Sequence, residues 1–170
     1  MEKVIISLLL LLVVLVVIGI LVYQPVQHPS WQKWGDPVSV EGGSVSVENG
    51  WLVLESRREI KVVVDCANRL AKASVLLIEV DTNMSVAMSI QYAPPKSVVI
   101  GKEFEFPLGK GQHEIRVELV SGAINKVVVD EVREGRFVSL YTLEGGDKPR
   151  VVIRIWSLWP FKVKVFIKPD

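Results

Sequence analysis

One cysteine, Cys66, and two histidines, His28 and His113, are all that the 170 residues hold of those types. A lone cysteine rules out an intramolecular disulfide, so packing and sheet hydrogen bonds must carry the stability. Cys66 reads as a small buried hydrophobe rather than a nucleophile or an intermolecular bridge. So few sulfur and imidazole ligands leave little from which to build a zinc site, and neither HExxH nor CxxC occurs. No metal or cofactor is expected, and His113 reads as a solvent-facing strand residue.

Other signatures are missing too. No GxSxG and no local Ser–His or Cys–His pattern marks a nucleophile. Pro107-Leu-Gly-Lys-Gly-Gln112 resembles a phosphate loop only in its glycines, because the chain continues into a strand where a helix is required. A hydrolase would have to recruit two carboxylates from distant strands among Asp65, Asp81, Glu103, Glu105, Glu114, Glu118 and Asp130. Glu144-Gly-Gly-Asp147 lacks the ligand density of a calcium loop and reads as a turn. Apart from Lys3 and Glu2, the chain carries 19 basic and 18 acidic residues, out of totals of 20 and 19. That balance gives no argument for nucleic acid.

What the chain does have begins at Val4–Val22, VIISLLLLLVVLVVIGILV, with no charge and no proline. Nineteen residues at helical rise span roughly 28 Å, about the hydrocarbon thickness of a bilayer. The run exceeds a signal-peptide core and is followed by Tyr23-Gln-Pro-Val-Gln-His-Pro29, without a small-residue cleavage site. Residues 1–23 therefore read as an uncleaved signal anchor and 24–37 as a proline-containing tether. Residues 38–170 read as the domain, and the lipid bilayer as the partner of Val4–Val22. Lys3 and the free amino terminus favour a cytoplasmic N-terminus and an extracytoplasmic domain at the cell membrane. Tyr23, Trp31 and Trp34 suit the membrane interface. Gly19 has no small partner four residues away, so no GxxxG dimer is indicated.

From Val38 the pattern is period-two alternation broken by turns. Asn49-Gly50 between Ser44–Glu48 and Trp51–Glu55 predicts a hairpin with a type I′ turn. Its register sets Glu48 against Trp51, Val47 against Leu52 and Val45 against Leu54. Val45, Val47, Leu52 and Leu54 are then expected in the core, with Trp51 and Val53 on the opposite face. Further strands are expected near 59–65, 73–81, 84–92, 98–106, 113–121, 124–130, 136–143, 151–157 and 161–168. About 9–11 short strands without an amphipathic helix predict an all-β, antiparallel β-sandwich or jelly roll.

The last segment stands out. Between Lys148 and Lys168 there are basic residues and no acidic one. Read as a C-terminal hairpin, it turns Arg150, Arg154, Trp156, Lys162, Lys164, Phe166 and Lys168 away from the core, with Trp159 beside them. That face suits an anionic glycan, anionic lipid headgroups or an envelope protein. The competing reading is a terminal edge strand protected by lysines. Asn83-Met84-Ser85 is an N-glycosylation sequon at a turn. The expected function is a non-enzymatic binding or structural module at the cell envelope. An anchored hydrolase of envelope polymers, and a secreted subunit that polymerises after N-terminal cleavage, are the alternatives.

Overall fold

A computed structural model describes residues Pro37–Asp170. The anchor Val4–Val22, Tyr23, His28, Trp31, Trp34 and most of the tether lie outside the described residues. Among the described residues no helix is long and apolar enough to cross a membrane.

Among the described residues, eleven strands form one antiparallel sheet. In chain order they are β1 (Pro37–Glu48), β2 (Trp51–Asp65), β3 (Val75–Thr82), β4 (Val86–Ala93), β5 (Val98–Leu108) and β6 (Gly111–Val120). They continue as β7 (Ala123–Val129), β8 (Arg133–Glu134), β9 (Arg136–Glu144), β10 (Arg150–Trp156) and β11 (Phe161–Pro169). A 3-10 turn, Asn68–Lys72, lies between β2 and β3. The hairpin forms as its sequence requires: Asn49 and Gly50 take φ of 51° and 85°, and Glu48 pairs with Trp51.

The pairings join most strands end to end. β10 and β11 both run antiparallel to β2, Trp156 opposite Glu59 and Phe161 opposite Ser56. On the far side β10 pairs with β4 and β11 with β3, so β3 and β4 are likewise collinear. β5 and β6 continue the pattern against β4 and β3, and β7 and β9 flank β6 and β5. The molecule is thus a sheet of long antiparallel lines folded across its strands, with the two halves' inner faces together. Strands that switch sheets through a bend are how orthogonal sandwiches make their corners.

The crease has a chemical basis in each line. Gly42 in β1 has φ of 85°, and a Cβ there would run into the Glu59 carbonyl oxygen. Ser56 bends β2 with a hydroxyl 2.7 Å from the carbonyl oxygens of both Gly42 and Glu59, donating to one at a time. The Ser157 N–H donates to the Arg58 carbonyl at 2.8 Å, carrying the bend into Ser157–Pro160. Asn83–Ser85, Gly109–Lys110 and the left-handed pair Asp130 and Glu131 continue it.

The core lies between the halves. Leu54, Ile60, Ile78, Met88, Ile90, Ile115, Ile153 and Val163 are among its fully buried members. At the end away from the crease the 3-10 turn plugs the opening. Leu70 is buried there, and the Tyr92 hydroxyl donates to its carbonyl at 2.5 Å.

Several expectations need correction. β10 and β11 form no hairpin. β11 is no terminal edge strand either, for it sits between β2, which pairs with residues 161–165, and β3, which pairs with residues 163–169. Val47 is half exposed, since β1 is the outermost line and overhangs the core. Val53, expected outside, is buried on the face where the Trp51 and Phe166 rings meet, 5.5 Å apart.

Candidate functional site

The basic residues singled out between Lys148 and Lys168 are divided between the two halves, and neighbouring strands supply carboxylates to most of them. On β11, Lys162 pairs with Glu55 at 3.0 Å and Lys168 with Glu79 at 2.5 Å. The hydrogen bond and charge of Glu55 hold the Lys162 ammonium above its ordinary pKa. On β10, Arg150 pairs with Asp65 at 3.1 Å and Arg154 with Glu59 at 2.6 Å. Lys164 stands opposite Asp81 and Val53 in the register. Phe166, expected outward, is 2% exposed because Trp51 covers it. A continuous cationic face is therefore not what these residues build.

The tryptophans are brought together instead. The break between β10 and β11 swings Ser157-Leu158-Trp159-Pro160 out at the crease, leaving Leu158 87% and Trp159 68% exposed. Facing them are the β3–β4 bend and the end of β5. Between these elements runs an open groove of about 830 Å³, lined chiefly by Met84, Ala87, Pro107, Trp156, Leu158 and Trp159. Its walls are tied: the Ser157 hydroxyl donates to the Ser85 carbonyl at 3.2 Å, and the Trp159 N–H donates to the Ser157 hydroxyl at 3.4 Å. Beside Trp156, Arg154 lies 5.1 Å from the ring centroid while bound to Glu59, whose hydrogen bond and charge hold the guanidinium above its ordinary pKa.

Asn83 borders this region. Its side-chain oxygen accepts the Lys162 N–H at 2.9 Å, a bond that leaves the amide nitrogen, the glycosylation atom, unused. Met84, Pro107 and Leu158 were not legible as groove residues, since only the crease juxtaposes them. An exposed Leu-Trp just before Pro160 was the one local signal.

Of the carboxylates considered for hydrolysis, Glu103 and Glu105 lie two residues apart on β5, and both charges act on Arg154. Glu103 accepts hydrogen bonds from Ser89, Gln91 and Ser139, at 2.7, 3.3 and 3.3 Å. Glu105 pairs with Arg136 at 3.1 Å. Asp130 lies 2.8 Å from His113 Nδ1 and accepts the Glu114 N–H at 3.0 Å. Partial burial acts to raise the Asp130 pKa, but the His113, Glu114 and Arg133 hydrogen bonds outweigh it and hold the carboxyl below its usual range. His113 is mostly buried rather than solvent-facing, with its Nε2 2.8 Å from the Gly109 carbonyl, so the pair fastens the β5–β6 bend to the end of β7. Among the described residues no three His, Cys, Asp or Glu side chains cluster as a metal site would require.

No family model matches the chain. Comparison with curated proteins gives no match either. Among solved structures, one of PfGH50B is similar with a TM-score of 0.47 at 10% identity, over 78% of this chain and 22% of that one. The chain therefore spans about a fifth of that protein's length. The carbohydrate recognition domains of Emp46p, in a potassium-bound form, and of Emp47p give TM-scores of 0.39 and 0.37 at 12% and 11% identity. They are covered over 92% and 100% of their lengths by 85% and 84% of this chain. These likenesses concern strand arrangement alone, and the functional reading rests on the groove.

Proposed function

We propose that the protein is a membrane-anchored, non-enzymatic binding module that holds an envelope glycan in the groove at its crease. Val4–Val22 would fix it in the cell membrane with the N-terminus cytoplasmic and the domain outside. The observation that carries the reading is that Trp156 and the exposed Trp159 line one open groove. Indole faces offer apolar stacking surface to the C–H face of a sugar ring, and a few polar groups at the rim orient its hydroxyls. Ser85 and Ser157 are those groups here. The open groove suits a polymer segment better than an enclosed small molecule.

The test is calorimetric titration of the full chain in detergent with polysaccharide prepared from the envelope of the source cell. An exposed aromatic anchor contributes about 1–2 kcal/mol or more to binding, so Trp159→Ala should weaken affinity about tenfold or further. Equal affinity in the variant and the unaltered chain would remove the groove as the binding site. An envelope peptide that bound in place of the polysaccharide would overturn the glycan reading.

A further inference from the structure

The strand register defines a floor for the groove. Trp156 of β10 stands opposite Ala87 of β4, and Ala87 stands opposite Pro107 of β5. Cross-strand partners share a face, so these three side chains form one row on the outside of the sheet, and all three line the groove. Neighbouring strands lie about 4.8 Å apart, which sets Trp156 and Pro107 about 10 Å from each other. The small Ala87 between them leaves a trough bounded by the indole on one side and the pyrrolidine ring on the other.

Charge is what the groove lacks. Residues 84–87, 107–109 and 156–159 line it, and none of them is ionisable. Of the residues that adjoin these segments in the chain, Lys110 alone is charged, and it does not line the groove. The next row of the sheet holds Arg154, Ser89 and Glu105. Its charges are already answered, Arg154 by Glu59 at 2.6 Å and Glu105 by Arg136 at 3.1 Å.

We infer that the groove takes an uncharged, hydroxyl-rich stretch of polysaccharide, with one sugar ring seated over Ala87 between Trp156 and Pro107. This rests on the glycan reading above and narrows it to a substrate class. A sugar bearing a uronic acid or a phosphate would lose water from its anion in the groove and meet no cation in return, a cost that neutral hydroxyls avoid. Hydroxyls find neutral partners in Ser85 and Ser157. Discrimination against polyanions thus comes from the missing counter-charge. The basic residues that made an anionic glycan attractive do not supply one. Lys162, Lys168, Arg150 and Arg154 are each paired with a carboxylate, and none of the four lines the groove.

The probe is envelope polysaccharide separated by anion exchange into a neutral and an acidic fraction, each titrated calorimetrically into the full chain in detergent. The neutral fraction should bind. Its affinity should change less than about twofold between about 50 and 500 mM NaCl, because no ion pair forms for salt to screen. Binding of the acidic fraction as tight as that of the neutral one, or an affinity that falls about tenfold over that salt range, would overturn the inference and leave the glycan reading in place. Binding of neither fraction would remove the glycan reading and the inference with it. Ala87→Leu fills the seat from the outer face of the sheet and should weaken binding of the neutral fraction about tenfold or further, without loss of thermal stability. Unchanged affinity in that variant would contradict a ring seated over Ala87.

Discussion

Gly42→Ala is the perturbation that the folded-sheet architecture makes most consequential for its size. The position has φ of 85°, a left-handed conformation that costs a non-glycine residue about 1–2 kcal/mol. The added methyl would also meet the Glu59 carbonyl, a backbone atom that cannot swing aside as a side-chain tip could. Moving it disturbs the hydrogen bonding of Ser56 at the crease, about another 1 kcal/mol. The sum is about 2–3 kcal/mol. In a domain of this size that lowers Tm by roughly 6–12 °C. Gly109→Ala is the control, since nothing lies within 4 Å of its added methyl and its φ lies outside the left-handed range. It should change stability by no more than about 1 kcal/mol, in the stabilising direction. Thermal unfolding of the full chain in detergent, followed by near-UV circular dichroism, reads both. Equal Tm values for the two variants would refute the idea that β1 is folded tightly over β2 at Gly42.

Three further outcomes follow from single side chains. Burial first, and then the charge of Asp65, push the Cys66 thiol far above its ordinary pKa, so a disulfide reagent at pH 8 should label it only after denaturation. Tyr92→Phe removes the hydroxyl that holds the Leu70 carbonyl and should cost about 1–2 kcal/mol in denaturant unfolding, with the hydrogen exchange of residues 68–73 accelerated most. Asp130 is held below the ordinary carboxylate range, so its contribution is complete above about pH 4 and is lost as pH falls through the folded-state value. Asp130→Asn should therefore be less stable than the unaltered chain at pH 7, and the gap should narrow as the medium is acidified towards pH 2.

The local features were legible in the sequence, and the long-range ones were not. Asn49-Gly50 dictates its turn through two positive φ angles, and the register from Glu48 to Val45 follows by counting. The strand segments were readable because alternation reports one buried face wherever the strand ends up. Which strand lies beside which is decided by partners far away in sequence. β11 therefore looked like an edge with free lysines, although Glu55 and Glu79 arrive from β2 and β3 to pair with them. Phe166 was misplaced for the same reason: nothing near it in sequence announces that Trp51 will cover it. Alternation also fails where the sheet outruns its core. Val47 and Ile100 keep the pattern of buried residues and yet face water, at the margins of β1 and of the β5–β9 arm.

The groove at the crease is the central claim, and the tryptophans allow it to be watched directly. With 5-fluorotryptophan incorporated in the full chain, each indole gives its own ¹⁹F resonance, assigned by single Trp→Phe variants. On titration with envelope polysaccharide, the Trp156 and Trp159 resonances should shift together and saturate at one affinity while Trp51, packed on Phe166, stays in place. Movement of Trp51 alone, or saturable binding that leaves both groove resonances unshifted, would contradict the account.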